Sequence, residues 1–362
     1  MTVVADADQW EEVDRWWDIL IDSFPFVLAS KETGTLDLSI LQHQWGDMDT
    51  WWDTYVDGYS LVQASETAVT LDDQLTTEQW SELDSWWETH VESQHEALVE
   101  LKTMLEDANK AWASSNSSFD ADPLATDWKS NSQATGPLRT NQEENWSQWL
   151  AHLIRSGPPQ FSHELFGTDF ENHPTTVQRE AYHPDPGGTD RYADILLFYE
   201  HLGVSIEVKK GDEHYTKTIH TASLIESQHS KDWTHFLLLP ERKTTALSHS
   251  FPEEIVERDG RLVIESDQTK DITVLFWRDI SYALRQMLQD NSSVDTHWEA
   301  SAYLFCTLIE QKISKFVPQP VIDRLSESED VVQTESSVLL SGSVIPDQTT
   351  YLRETMESRN NE

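Results

Sequence analysis

The chain has one cysteine, few basic residues and no long apolar stretch, and each absence excludes a class of protein. The single cysteine, Cys306, excludes an internal disulfide framework and a zinc site built from several cysteines. No run of about 18 apolar residues occurs, which argues against a membrane-spanning helix. No charged-then-apolar leader follows Met1. We therefore expect a soluble, cytoplasmic protein without a membrane partner.

The scarcity of basic residues leaves a large negative charge. Only 25 Lys and Arg stand against 65 Asp and Glu, so the formal net charge of the 362 residues is −40. Such a charge destabilises the compact state by self-repulsion, and molar salt relieves it because the Debye length falls to about 3 Å at 1 M. The acids are spread over the whole chain, which favours adaptation to a salt-rich cytoplasm, as in haloarchaea. The alternative is an acidic interaction protein from an ordinary cell.

Nine of the 16 tryptophans belong to a repeat with a period of 35 residues. The pattern Gln-Trp, then a hydrophobic residue followed by Asp, then Trp-Trp occurs at residues 9–17, 44–52 and 79–87. A constant period over three copies indicates repeated structural units. The apolar positions within each copy follow one face of a helix. We therefore predict an all-α, Trp-rich repeat domain over residues 1–112.

The tryptophans of this repeat domain have two interpretations. They form the core of small helical units, which is favoured because they keep the apolar phase, or they form a surface that stacks bases or binds a protein partner. Residues 113–140 are rich in Ser, Asn, Asp and Pro and are predicted to be a linker. Residues 321–362 are polar and predict a mostly disordered acidic tail. A second domain then occupies residues 141–320.

The second domain is centred on Arg191–Lys210, which predicts two neighbouring strands. The first is an apolar run with one acid, Asp194, near its start. The second alternates aliphatic and polar residues, so Glu207 and Lys209 share a face. If the two strands pair through the short turn between them, Asp194 lies near both.

The spacing of these three residues resembles a known motif. An acid, twelve further residues and Glu-Val-Lys resemble the PD-(D/E)xK nuclease superfamily, with Asp194, Glu207 and Lys209 at its three motif positions. Ala193 stands where the proline of that name would be. The predicted order of helix, three strands, helix and strand over residues 141–240 is similar to the superfamily core. The resemblance implies an α/β fold with a restriction-endonuclease-like mixed sheet flanked by helices.

Other elements of the domain follow from apolar periodicity and turn residues. The predicted elements are helices at 141–155, 212–228, 281–288 and 297–316, strands at 176–182, 233–239 and 272–277, and a hairpin at 255–264. Two acids, Glu143 and Glu144, lie in the first turn of the first helix. Many superfamily members carry a glutamate there that points into the site, and helical phase favours Glu143, with Glu144 in reserve. The alternative is that both acids only stabilise the helix dipole.

The motif residues carry a specific chemistry. The carboxylates of Asp194 and Glu207, the carbonyl of Val208 and the Glu143 carboxylate are oxygen ligands, which Mg²⁺ (or Mn²⁺) prefers. Lys209 beside two acids should stay protonated, where it could hold the attacking water or stabilise the pentacovalent phosphate. These residues alone imply a metal–carboxylate site, and the resemblance implies in-line hydrolysis of DNA with Asp194, Glu207 and Lys209 as catalytic residues. The alternative is a surface cluster of ion pairs.

Basic residues just downstream extend the hypothesis to DNA binding. Lys210, Lys217 and His220 lie on or near the next predicted helix, in the most basic neighbourhood of the chain. They are candidates for contacts with DNA phosphates, and the alternative is that they pair with the abundant acids. The sequence thus predicts a metal-dependent endo- or exodeoxyribonuclease in repair, defence or mobile-element biology. The competing hypothesis is a non-catalytic scaffold that binds a protein partner through residues 1–112.

Overall fold

A computed structural model describes residues 96–128, 142–167, 170, 172–185, 188–210, 215–251, 254–258, 260–290, 295–327 and 344–357. Almost all of them lie in one of the two units into which the chain divides, the unit of residues 97–327 and 342–362. The Trp-rich repeats predicted within residues 1–95 lie outside the described residues.

A mixed sheet of seven strands forms the centre of the described residues. In chain order the strands are β1 (Thr176–His183), β2 (Arg191–Phe198), β3 (Leu202–Val208), β4 (Asp232–Leu239), β5 (Ile255–Arg258), β6 (Arg261–Ile264) and β7 (Ile272–Phe276). Their spatial order is β1-β2-β3-β4-β7-β6-β5. The pairs β3–β4 and β4–β7 are parallel, and the other neighbours are antiparallel. The predicted mixed α/β sheet is confirmed.

Helices cover both faces of this sheet. The α-helices of the described residues are α1 (residues 96–113), α2 (Glu143–Ser156), α3 (Pro159–Phe166), α4 (Thr216–Gln228), α5 (Thr244–Ser250), α6 (Trp277–Asp290), α7 (Thr296–Leu308), α8 (Gln319–Glu327) and α9 (Val344–Glu357). Side chains of α2, α3, α6 and α7 form one hydrophobic cluster with β2, β3 and β4. Side chains of α4 and α5 form two further clusters with other residues of the sheet. Among the described residues, no helix is long and apolar enough to cross a membrane.

The residue types of β3 and β4 explain why these two strands are central in the sheet. The last four residues of β4 are apolar, as expected for a strand covered on both faces, and its last five residues are buried. Gly203 begins the buried part of β3, where a Cβ atom would lie 2.6 Å from the Trp233 ring. Only glycine therefore allows these two strands to pack at that point without displacing the indole.

Two segments differ from the prediction of a linker and a disordered tail. Within 113–140, Leu124 is fully buried and the N–H of Trp128 donates to Gln311 at 3.0 Å. Within 321–362, α9 is a helix whose Tyr351 and Leu352 are buried. The polar average composition of both segments predicts disorder. A few widely spaced apolar residues are nevertheless enough to anchor a short polar segment to a core.

Candidate functional site

The candidate site lies where β2 and β3 separate. Their antiparallel ladder ends with the pair Ile195 and Ile206, so Asp194 and Glu207 would form the next pair. The N–H of Val208 does not continue the ladder. It donates to Oδ2 of Asp194 at 2.7 Å, so the carboxylate takes the place of a backbone acceptor. The acid is thereby held against the end of β3.

The alternation of β2 breaks at Asp194. Ala193 packs with Leu196 and Trp233 in the cluster that contains α4, whereas Ile195 belongs to the cluster on the opposite face. In a regular strand, residues two apart would share a face. The pairing of β1 with β2 skips Glu180, whose backbone has a positive φ of 48°. Both strands therefore distort at one place, which supplies the irregular backbone that lets the Asp194 side chain reach Val208.

Lys209 brings the acids of β3 and α2 together. Its Nζ atom lies 3.0 Å from Oε1 of Glu207 and 3.9 Å from Oε1 of Glu143. Oε2 of Glu143 accepts a hydrogen bond of 2.6 Å from the N–H of Lys210. The structure therefore brings Glu143, Asp194, Glu207 and Lys209 together around the C-terminal end of β3. The Lys209 side chain is only 9% exposed, so these charges interact with little screening by water.

The backbone of Lys209 is fixed from two sides. Its N–H donates to the Leu238 carbonyl at 2.7 Å. In a parallel ladder its carbonyl would next accept from residue 240, but Pro240 has no N–H. The indole Nε1 of Trp277 donates to that carbonyl instead, at 3.1 Å. The position of Lys209 is thus set by β4 and by the first residue of α6.

The acids and the lysine perturb one another. Burial, with the negative charges of Glu207 and Glu143, raises the pKa of Asp194 to about 7, and the Val208 N–H and Lys209 oppose this rise. Burial alone would lower the pKa of Lys209, but the carboxylates, Glu207 first, outweigh burial and raise it. Lys209 therefore keeps its positive charge. The three acids Glu143, Asp194 and Glu207 outnumber this one cation.

The structure separates the two candidate acids of the first helix. Glu143 lies at the site and contacts Lys209 and Lys210. The side chain of Glu144 is exposed, and only its backbone carbonyl is engaged, by Arg179 at 3.3 Å. Glu143 is thus the glutamate that geometry favours, as helical phase predicted.

The donor set suits a hard divalent cation by its chemistry, because it consists of carboxylate and carbonyl oxygens with excess negative charge. Asp194 and Glu207 are adjacent, and Val208 lies between the two acids and the lysine. In the part of the chain described here, no three His, Cys, Asp or Glu side chains form a group arranged for a metal ion. A metal site with two carboxylates, one backbone carbonyl and water as the remaining ligands does not require three such side chains. The residues therefore fit a divalent ion whose coordination is completed by water.

The three candidate DNA-binding residues have different surroundings. The ammonium group of Lys210 lies 5.6 Å from the centre of the Trp146 ring, and burial together with Arg242 and Lys312 lowers its pKa. His220 contacts Oδ2 of Asp185 at 2.9 Å, which matches the alternative of pairing with nearby acids. Lys217 is exposed on the first turn of α4. Of the three, Lys217 has the position most accessible to a phosphate.

A buried polar chain behind the site was missed by sequence analysis. Ser205 Oγ lies 2.6 Å from Nδ1 of His235, whose Nε2 lies 3.1 Å from Oε1 of Glu226. Hydroxyl, imidazole and carboxylate occur in the same order in serine hydrolases. Here, however, Ser205 is 7% exposed, and the cavity shared with Glu207 has a volume of about 10 Å³, room for about one water. These three side chains are a hydrogen-bonded polar network behind Glu207. The sequence signal for it was one polar residue, Ser205 and His235, in each of two otherwise apolar strand segments.

Comparisons with protein families, with curated proteins and with solved structures found no match to this chain. A function must therefore be inferred from the side chains that meet at the ends of β2 and β3.

Proposed function

We propose that the protein is a metal-dependent deoxyribonuclease with a restriction-endonuclease-like core. The observation that carries the proposal is the meeting of Asp194, Glu207 and Lys209 at the adjoining ends of β2 and β3, with Glu143 supplied by α2. Two acids and a lysine at this spacing suit phosphodiester hydrolysis, which needs a positioned water and neutralisation of phosphate charge. The mixed sheet with helices on both faces is compatible with that core.

Each residue has a role that follows from its surroundings. Asp194 and Glu207, with the Val208 carbonyl, would hold a Mg²⁺ or Mn²⁺ ion. When bound, the ion would acidify a water and neutralise charge on the phosphate. Lys209 keeps its proton and can donate to the attacking water or to a phosphate oxygen. Glu143 holds the Lys210 N–H and lies near the Lys209 ammonium group, so it orients the end of β3.

Cleavage of DNA by matched variants tests this function. The full chain would be incubated with DNA in high salt with Mn²⁺ or Mg²⁺, as wild type, Asp194→Asn, Lys209→Met and Asp267→Asn. Asp267 is an exposed acid on a distant loop, so its substitution makes the same chemical change away from the site. We expect both site variants to cleave at least about a hundredfold more slowly and Asp267→Asn to match wild type.

Two outcomes would reject the nuclease. Cleavage by Asp194→Asn at the wild-type rate would remove the site assignment. Absence of cleavage by wild type on single-stranded, duplex and supercoiled DNA would instead favour the non-catalytic scaffold, in which residues 1–112 bind a partner.

A further inference from the structure

Two exposed tyrosines lie beside the candidate site. Tyr182 and Tyr192 are cross-strand partners on β1 and β2. Their exposed fractions are 53% and 61%, which makes them the exposed large aromatic side chains of the described residues. Their ring centres lie 5.5 Å apart and the planes are inclined by 51°. Large aromatic rings left in water next to a reactive cluster suggest a binding surface.

The first ring is held in place. The hydroxyl of Tyr182 donates to Oδ2 of Asp190 at 2.7 Å, and Oδ1 of Asp190 accepts the N–H of Asp185 at 3.0 Å. The loop between β1 and β2 thus fixes the ring although the ring is half exposed. A ring that is already ordered loses little conformational freedom when a ligand stacks on it.

The tyrosines project from the face of the sheet on which α2 packs, the helix that supplies Glu143. Ala193 packs in the cluster that contains α4, so its neighbour Tyr192 points to the opposite face, the one on which α2 packs. Asp194 follows two residues later on the same strand, about 7 Å along it. A nucleotide stacked on Tyr192 would therefore place a neighbouring phosphate close to Asp194.

The charge around the tyrosines limits what can bind there. On the same two strands and their loop, Asp185, Asp190 and Glu180 outnumber Arg179 and Arg191, in a chain of net charge −40. Phosphate contacts alone would give little affinity on such a surface, and less in high salt. Stacking of a base on an aromatic ring tolerates sequence and is not an ionic contact, but it requires a base whose face is free. A duplex buries those faces, whereas a single strand exposes them.

We propose that Tyr182 and Tyr192 form a stacking platform for unpaired bases, so that the substrate class of the Asp194–Glu207–Lys209 site is single-stranded DNA. The proposal rests on the nuclease function for its choice of ligand. The competing explanation is that the two rings only support the β1–β2 hairpin as a cross-strand pair.

Binding without cleavage tests the platform separately from the chemistry. Fluorescence anisotropy would follow a labelled mixed-sequence single strand, and the same sequence as a blunt duplex, with full-length protein in EDTA and about 1 M KCl. The variants are Tyr182→Ala/Tyr192→Ala, the single Tyr192→Ala that leaves the Tyr182–Asp190 bond intact, and Tyr182→Phe/Tyr192→Phe. Thermal unfolding of each variant checks that the hairpin is retained.

We expect wild type to prefer the single strand. The double alanine variant should bind it at least about tenfold more weakly, and Tyr192→Ala severalfold more weakly. The double phenylalanine variant keeps both rings but loses the Tyr182–Asp190 bond, so it should bind only slightly more weakly than wild type and much more tightly than the double alanine variant. Wild-type affinity in either alanine variant would overturn the platform, as would equal or tighter binding of the duplex by wild type.

Failure of the platform and failure of the nuclease give different results. If Asp194→Asn loses cleavage while the alanine variants bind the single strand normally, the nuclease stands and the platform is wrong. If Asp194→Asn still cleaves while the alanine variants lose single-strand binding, the platform stands and the site assignment is wrong.

Discussion

The Asp194 carboxylate lies in a place that penalises its charge. Burial and the neighbouring carboxylates of Glu207 and Glu143 raise its pKa to about 7, despite the hydrogen bond from Val208 and the nearby Lys209. A group whose pKa is higher in the folded than in the unfolded chain stabilises the fold at low pH. That stabilisation is lost as pH rises from the unfolded value near 3.8 through the folded value. The charge is therefore costly for stability at neutral and alkaline pH.

Asp194→Asn should stabilise the metal-free protein at alkaline pH. The amide keeps an oxygen that can accept from Val208 but carries no charge, so the free energy of unfolding should rise at pH 8 by about 1–4 kcal/mol. At pH 4.5 the folded wild type is already protonated, so the gain should be much smaller. Urea unfolding in EDTA at the two pH values measures this, with Asp267→Asn as the control for the same chemical change. A loss of stability at pH 8, or equal effects at both values, would contradict the pKa account.

Sequence could predict part of the site at this scale. Strand alternation places Glu207 and Lys209 on one face, and the short turn predicts that Asp194 lies near them. The break in alternation at Asp194 could not be predicted, because it accompanies a distortion of the neighbouring strand β1 that leaves no local pattern in β2. His183 is followed by the turn residues Pro-Asp-Pro, yet it is 1% exposed and contacts Gln228 at 2.8 Å. Packing of α4 over the end of β1 buries it, which no local pattern reveals.

At the scale of secondary-structure elements, one buried arginine joins segments that are far apart in sequence. Arg285 of α6 donates to Asp122 at 2.9 Å and, through Nε, to Glu310 at 2.6 Å. Tyr351 of α9 donates to the same Glu310 at 2.7 Å. Arg285, Asp122 and Glu310 are all nearly fully buried. The predicted linker and the predicted tail are thereby tied to the helical layer through one guanidinium group.

Two arginines with two carboxylate partners each provide a matched comparison. Arg285→Met leaves Asp122 and Glu310 buried without their cation and should lower the free energy of unfolding by about 3–5 kcal/mol. Arg258 pairs with Glu265 and Asp271 but its side chain is 50% exposed, so Arg258→Met should change the free energy of unfolding far less. Chemical unfolding of both variants in the same buffer gives the comparison. Equal losses would mean that burial does not decide the strength of these pairs.

Most elements of the sheet domain could be predicted because their signals are local. Apolar runs bounded by Gly, Pro and Asp mark the strands, and helical periodicity marks α2, α4, α6 and α7. The order of strands across the sheet and the contacts of residues 116–128 and 344–357 could not be predicted. They depend on pairings between distant parts of the chain, such as Asp122 with Arg285, which leave no periodic pattern.

For the whole molecule, the dominant property is its net charge of −40. Repulsion among the acids should make the folded state depend on screening, and the Debye length falls from about 10 Å at 0.1 M salt to about 3 Å at 1 M. The same salt weakens phosphate contacts, which is why the proposed binding of single-stranded DNA relies on stacking rather than on charge.

Stability should therefore rise with salt. We expect the free energy of unfolding in urea to increase as KCl is raised from about 0.1 M to about 2 M. The rise should be steepest below about 1 M, where the Debye length changes most. A rise confined to the highest KCl concentrations, or no effect of KCl, would refute repulsion as the cause and favour an ordinary acidic protein.

The central claim is that Asp194 and Glu207 together hold a divalent ion, and Mn²⁺ binding tests it most directly. Isothermal titration calorimetry in high salt, without DNA, would compare wild type, Asp194→Asn, Glu207→Gln and the control Asp267→Asn. We predict one Mn²⁺ site in wild type and in the control, weakened at least about tenfold in each site variant. No Mn²⁺ binding by wild type, or binding that is unchanged in Asp194→Asn and Glu207→Gln, would contradict the claim.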